Sequence, residues 1–182
     1  MSSSLYTPCG LDGYELCHPI NQSDFETINT LVNGVPRASR WNPIAMRTIL
    51  QDEGRTLLKS DSPWLGAHAL MFKPRALTAL APLLDAYGEL LPLLANEGTI
   101  SMYNPTRVLD ALDESRSALH RFSDGSIMMI QRYAFREEII RGVDIFKISA
   151  LRVSPTFVSQ RFVDLWHSSG LRGLEFECVG SV

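Results

Sequence analysis

Residues able to do covalent or acid–base chemistry are few and scattered in this chain. There are three cysteines, Cys9, Cys17 and Cys178, and four histidines, His18, His68, His120 and His167. A zinc site usually needs a close ligand pair such as C-x2-C. The spacing Cys9-x7-Cys17-His18 offers no such pair, so no metal site is expected. Each histidine stands singly and reads as a surface or packed residue, not as a ligand or a base. A G-x-S-x-G elbow, an H-E-x-x-H pair, a G-x-x-x-x-G-K-[ST] phosphate loop and a G-x-G-x-x-G turn are all missing. Asp110, Asp113 and Glu114 are neighbouring carboxylates. Acid–base catalysis would need a matching partner site, and the sequence supplies none. The expectation is therefore no catalytic residue, no cofactor and no enzyme.

Charge patterning gives a sharper signal. Residues 85–114 hold Asp85, Glu89, Glu97, Asp110, Asp113 and Glu114 against Arg107 alone, a net of −5, while the whole chain carries −3. Such a segment could dock a basic surface and speed association by steering. It could equally be a solvated face of turns and helix ends. The candidate contacts are Glu97, Asp110, Asp113 and Glu114, with Asp124 from the following turn.

The elements that must position these residues can be read from pattern. Residues 1–36, rich in Ser, Asn, Gly and Pro, read as an irregular arm with one or two short strands. Trp41–Leu50 reads as a strand ending at Asp52-Glu53-Gly54. Ser60–Leu65 is a loop, because Pro63 disfavours helix at Ser62. Ala69–Phe72 is a short strand before a helix opened by Pro74, whose missing N–H needs no intrahelical partner. Ala76, Leu77, Leu80, Leu83, Leu84 and Tyr87 then form one apolar stripe. Pro82 removes the bond to Thr78 and should kink or restart the helix; Gly88 ends it. Leu90–Leu94 and Thr99–Tyr103 read as strands, and Asn104-Pro105 as a turn. Thr106–Leu112 is ambiguous between strand and helix. Leu119–Phe122 and Ser126–Phe135, joined by Ser123-Asp124-Gly125, read as a hairpin. Asp144–Ser149 is another short strand. Phe157-Val158 ends a strand, Ser159 is a helix N-cap, and Gly170 stops that helix. Leu174, Phe176 and Cys178 then alternate with Glu175 and Glu177 as a half-buried strand.

An internal echo links residues 69–94 and 156–179. Each has a strand, an Arg (Arg75, Arg161), an apolar helix, a Gly and a second strand. Duplication is one reading, and the ordinary likeness of any β-helix-β unit is the other. The shared Arg is read as structural.

With 182 residues, 45% hydrophobic and 20% charged, the chain fits one average globular domain. The mild acidity argues against a nucleic-acid binder, which needs a cationic face. No run of 18 apolar residues occurs, so no membrane helix is expected. The start, MSSSLYTPCG, lacks a basic and an apolar region, so no signal peptide is read. With the odd cysteine count, this leads to an expected cytoplasmic location.

Residues 155–179, PTFVSQRFVDLWHSSGLRGLEFECV, resemble the C-terminal signature of immunity protein family 11, related to a myxobacterial immunity protein family. The matching pieces are Phe157-Val158-Ser159, Arg161-Phe162-Val163 and Gly170-Leu171-Arg172-Gly173-Leu174-Glu175-Phe176. Ser60-Asp61-Ser62-Pro63-Trp64-Leu65 resembles its Ser-Asp-x-Pro-Trp stretch. Tyr87-Gly88-Glu89-Leu90-Leu91-Pro92-Leu93 resembles its Gly-Glu-Leu-Leu-Pro-Leu. Tyr103-Asn104 with Val108–Asp113, and Ile145-Phe146-Lys147, follow in the same order. Pro105 stands where the family often has Val, so the local turn is expected to differ. Together the matches span residues 41–179.

The resemblance implies a binding protein that neutralises a secreted antibacterial toxin. The fold expected is α+β: a single domain, with a mixed, mainly antiparallel sheet and two or three packed helices. Residues 1–40 would form the irregular N-terminal arm packed on an immunity-type domain of residues 41–182. The partner expected is the C-terminal domain of a cognate toxin, bound as a heterodimer, with no direct nucleic-acid or membrane partner. Because an acidic face could mimic phosphate, the toxin is read as a cytoplasm-acting nuclease (DNase) of a type VI or contact-dependent system. Glu97, Asp110, Asp113, Glu114 and Asp124 are the toxin-binding candidates. The alternative is a small enzyme or metabolite-binding domain, which would need a pocket of about 300 Å³ or more with converging polar groups.

Overall fold

The computed structural model describes residues 4–181. The chain runs β1 (Ser4–Gly10), β2 (Leu16–Pro19), α1 (Asp24–Leu31), a single 3-10 turn at Ala38–Arg40, and β3 (Ala45–Ile49). A tight hairpin of β4 (Gln51–Asp52) and β5 (Arg55–Thr56) follows, then β6 (Met71–Phe72), α2 (Pro74–Tyr87), β7 (Gly88–Pro92) and β8 (Leu94–Ala95). Next come β9 (Ser101–Pro105), β10 (Val108–Leu109), β11 (Ala118–Arg121), β12 (Ile127–Arg132) and α3 (Glu137–Ile140). The chain closes with β13 (Ile145–Ile148), β14 (Phe157–Ser159), α4 (Gln160–Ser168) and β15 (Leu174–Ser181). This is the expected α+β domain. Its strands are shared among several sheets, the largest ordered β10-β13-β14-β1-β15. All pairings are antiparallel except β3 with β8 and β10 with β13.

The two echoing segments take the same topology. β6 and β7 flank β9, both antiparallel to it, and are joined by α2. β14 and β15 flank β1, both antiparallel to it, and are joined by α4. Each helix thus crosses over a strand that comes from elsewhere in the chain. The helices pack on each other, with Leu80, Leu83 and Leu84 of α2 in one buried cluster with Phe162, Val163 and Trp166 of α4. The two arginines are structural, as expected. Arg75 pairs with Asp61 (3.0 Å) and donates to the carbonyls of Ser169 and Gly170, closing the C-terminal end of α4. Arg161 pairs with Asp144 (2.9 Å). Ser159 caps α4, its Oγ accepting from the Phe162 amide.

Several local expectations are corrected. Residues 4–40 carry the two strands expected there, β1 and β2, but they also carry the helix α1 and are not an irregular arm. β1 lies inside the five-stranded sheet, where β14 and β15 both hydrogen-bond to it. Only Ile28 of α1 is fully buried, so its apolar stripe was too narrow to read. Asn104-Pro105 is not a turn but the end of β9. Asn104 is fully buried there, its Nδ2 donating to the Val35 carbonyl (3.0 Å) and Glu89 Oε1 (2.9 Å), its Oδ1 accepting from the Gly34 amide (3.1 Å). The strand accommodates Asn104 because its side-chain amide finds all these partners. α2 runs unbroken through Pro82, which faces solvent.

Core side chains fall into three clusters. The α2–α4 cluster is the first. A second gathers Cys17, Ile28, Met46, Met71, Leu91 and Met102. A third stacks Phe135, Phe146 and Phe157 behind the β11–β12 hairpin, with ring centroids 5.2–6.0 Å apart. Edge and offset contacts of this kind add to what burial alone contributes.

Candidate interaction surface

Four of the five acidic candidates gather around the β11–β12 hairpin. Asp113 and Glu114 lie before β11, Asp124 sits in the hairpin turn, and Asp110 pairs with Arg136 beyond β12 (3.0 Å). Glu97 lies apart, in the turn between β8 and β9, where it pairs with Lys59 (3.4 Å).

These carboxylates already have partners within the chain. Asp113 Oδ1 accepts from the amide and hydroxyl of Ser115, and Oδ2 from Arg116 Nε (2.6 Å). The Ser115 hydroxyl, then Arg116, hold its carboxyl down at about 2. Asp124 accepts from the hydroxyl and amide of Ser126 (2.6 and 2.9 Å), which keeps it below the usual carboxylate range. Glu114 pairs with Arg121, whose other guanidinium nitrogen donates to the Gly125 carbonyl in the hairpin turn. Glu89 is engaged by Asn104 and by the amides of Arg37 (2.6 Å) and Ala38 (3.1 Å). Of the six acids in residues 85–114, only Asp85 makes no hydrogen bond or ion pair among the described residues. The apparent charge of −5 is therefore largely cancelled by Lys59, Arg116, Arg121 and Arg136. Those cations lie outside the window that made the segment look acidic. Exposed pairs of this kind contribute little stability, but they lower the field offered to a partner.

What pattern reading missed on this hairpin is apolar. Phe122, Met128 and Met129 are 54%, 52% and 48% exposed, while Leu119, Ile127 and Ile130 pack on the phenylalanine cluster behind. Register shifts at Ala118/Leu119 and His120/Arg121 break the simple alternation of the ladder. That places Met128 and Met129, adjacent in sequence, both in solvent. The run Ile127-Met128-Met129-Ile130 after an Asp-Gly turn was the available signal, but strict alternation would have buried one of the two methionines.

Burial disfavours the charged forms of three candidates for chemistry, Cys17, His18 and His68. Cys17 is fully buried, and burial with the nearby Glu15 carboxylate pushes its thiol up to about 12, so it stays protonated. Burial holds the imidazoles of His18 and His68 below their usual range. Among the described residues no three His, Cys, Asp or Glu side chains come together as metal ligands. Among the described residues no helix is long and apolar enough to cross a membrane. The most enclosed carboxylate, Glu15, is tied to the Ser60 amide (2.7 Å), the Ser60 hydroxyl (3.1 Å) and the Lys73 ammonium. This links the Ser60–Leu65 segment to the start of α2.

Depressions large enough for a small molecule do exist. One of about 830 Å³ is lined by Asp24, Leu31, Arg37, Arg40 and Trp41. There Arg37 is already spent on the Leu31 carbonyl (2.9 Å) and Asn33 (3.3 Å), closing the end of α1.

A comparison with curated proteins finds no match. The motifs near Ser60–Leu65 and Tyr87–Leu93 fall outside the segment matched by a family model. That segment holds β9 through β15, including the hairpin and the α4 signature. Residues 101–181 match the model of the Immunity protein family (Imm11), and the family likeness read in the sequence motifs is borne out over this C-terminal part of the chain.

Proposed function

We propose that the protein is an immunity protein that binds a cognate antibacterial toxin and neutralises it as a stoichiometric inhibitor. The observation that carries this reading is the Imm11 match over residues 101–181. The same segment presents an apolar, methionine-bearing hairpin to solvent, the kind of adaptable surface used in protein recognition. The partner is the C-terminal domain of a toxin delivered by a type VI or contact-dependent system, and the complex is a heterodimer formed in the cytoplasm. The toxin is a nuclease whose basic substrate surface the inhibitor covers. An inhibitory interface of ordinary size buries roughly 1,600 Å² and relies on a few central anchors. Phe122, Met128 and Met129 are suited to that role, with the carboxylates of Asp110, Asp113, Glu114 and Asp124 at its rim.

The test is co-expression with the C-terminal domain encoded by the neighbouring gene, scored by pull-down and by growth. A stoichiometric complex with growth rescue is the expected result. Rescue without a complex would mean the protein acts chemically on the toxin or its product. Neither binding nor rescue would remove that toxin as the partner.

A further inference from the structure

β15 is the longest strand, spans Leu174–Ser181, and lies outermost in the five-stranded sheet. Its ladder to β1 runs Thr7–Glu177, Pro8–Phe176 and Cys9–Glu175. Antiparallel pairs alternate between those that exchange hydrogen bonds and those that do not. Pro8 has no N–H to give, and the Leu11 amide donates to the Gly173 carbonyl (3.1 Å), two steps beyond Cys9–Glu175. The bonded pairs are therefore Thr7–Glu177 and Cys9–Glu175. The N–H and C=O of Phe176 and Cys178 point the other way, to the open edge. Among the described residues they have no backbone partner.

Two depressions adjoin this strand. One of about 830 Å³ includes Glu138, Phe135 and Cys178; another of about 500 Å³ includes Cys9, Trp64 and Glu177. Arg132, Tyr133, Cys178 and Val179 line both, so the two are continuous along β15.

Charge selects the occupant. Glu175 and Glu177 are exposed and share one face of β15, and among the described residues neither they nor Glu138 form an ion pair. Arg132 is the one cation lining either depression that pairs with no carboxylate among the described residues, since Arg116 is held by Asp113. Glu138 and Glu177 thus line the depressions without a cationic partner among the described residues, Glu175 lies two residues from Glu177 on the same face of β15, and Arg132 gives its guanidinium only to the Arg116 carbonyl (3.5 Å). A second copy of this chain, pairing edge to edge, would set Glu175 and Glu177 against their like, which is destabilising. A strand with Lys or Arg at alternate positions would meet both glutamates from one face.

We propose that the open edge of β15 accepts a basic extended segment of the toxin by strand addition, hydrogen-bonded through Phe176 and Cys178 and held by Glu175 and Glu177. This deepens the immunity reading and rests on it for the identity of the partner. Main-chain pairing supplies affinity in such a mode, and the alternating side chains supply specificity.

The test uses the full chain and two blocked octapeptides, one alternating Lys and Val, the other Glu and Val. Hydrogen exchange is followed amide by amide. The Lys–Val peptide should slow exchange at Phe176 and Cys178 at least about ten-fold at low salt. Glu175→Lys with Glu177→Lys should abolish this, and Glu26→Lys with Asp85→Lys, an equal charge change on the exposed faces of α1 and α2, should not. Roughly 0.5 M salt should weaken it, because exposed charges are screened. Protection by both peptides alike, by neither, or only at other amides would overturn the proposal. A toxin complex in which Phe176 and Cys178 exchange as in the free protein would overturn the edge and leave the immunity reading standing. Peptide protection without any toxin complex would support the edge and count against that reading.

Discussion

Lys147 stands in the middle of β13, where a strand buried on both faces calls for an apolar residue. It is only 2% exposed, and its Nζ donates to the carbonyls of Val32 (2.5 Å) and His68 (2.7 Å), with no carboxylate as partner among the described residues. Burial pulls its ammonium down to about 7. The unfolded chain holds this proton up to about 10.5, so between pH 7 and pH 10.5 the unfolded state binds more protons. Stability from this group must therefore rise with pH across that window. Cys17 acts oppositely: its raised thiol keeps a proton that the unfolded chain loses above pH 9, so its contribution falls there. Between pH 7 and pH 9 the lysine dominates, and urea unfolding should show a gain of about 2 kcal/mol. Lys147→Met should abolish that gain. If the variant gains as much as the wild type, the buried ammonium is not its source. This was not legible beforehand: Ile145-Phe146-Lys147 resembles a family motif, but nothing in it says that the lysine faces inward. The acidic candidates failed to show their pairing for a related reason. A window counts charges along the chain, whereas Asp110–Arg136 and Glu97–Lys59 close across it.

Elements were legible where several local signals coincided. α4 has its Ser159 cap, an apolar face and a stop at Gly170, and it forms at Gln160–Ser168. α2 has Pro74 at its start and a long apolar stripe, and it forms at Pro74–Tyr87. The two-residue strands β4, β5, β8 and β10 were below the length at which alternation can be read, whereas β6 forms inside the short apolar strand read at Ala69–Phe72. Pro82 marks where local preference and packing disagree. It denies the Thr78 carbonyl its helical donor, yet Leu80, Leu83 and Leu84 are buried on either side of it. Tertiary packing holds the helix together across the gap. Pro82 is exposed, so replacing it touches no core side chain. Pro82→Ala should raise stability by about 1–3 kcal/mol by restoring the bond and relieving the ring's crowding. Thermal melts of the two proteins decide this, and an unchanged or lower midpoint would mean the helix is shaped around the proline.

At the scale of the whole molecule, the segment that carries the family match is not the segment that completes its fold. Residues 101–181 contain β14 and β15, but these strands do not pair with each other; both pair with β1. Likewise β9 has β6 and β7 as its neighbours, and both precede the match. Phe162 and Trp166 bury themselves against Leu80, Leu83 and Leu84 of α2. A fragment of residues 101–182 would keep the hairpin and α4 but would expose their buried faces and leave the β14 and β15 ladders without a centre. Unpaired strands and lost apolar burial cannot offset the conformational entropy of ordering. The fragment should therefore lack a cooperative thermal transition and fixed side-chain packing, read as a flat near-ultraviolet circular dichroism spectrum beside a structured one for the full chain. Cooperative unfolding of the fragment would show that β1 and α2 are dispensable, and the two crossover units would then be independent modules. The sequence echo between residues 69–94 and 156–179 disclosed that there were two such units. It could not disclose that each is closed by a strand from outside it, because β1 and β9 share no pattern with the helices they lie under.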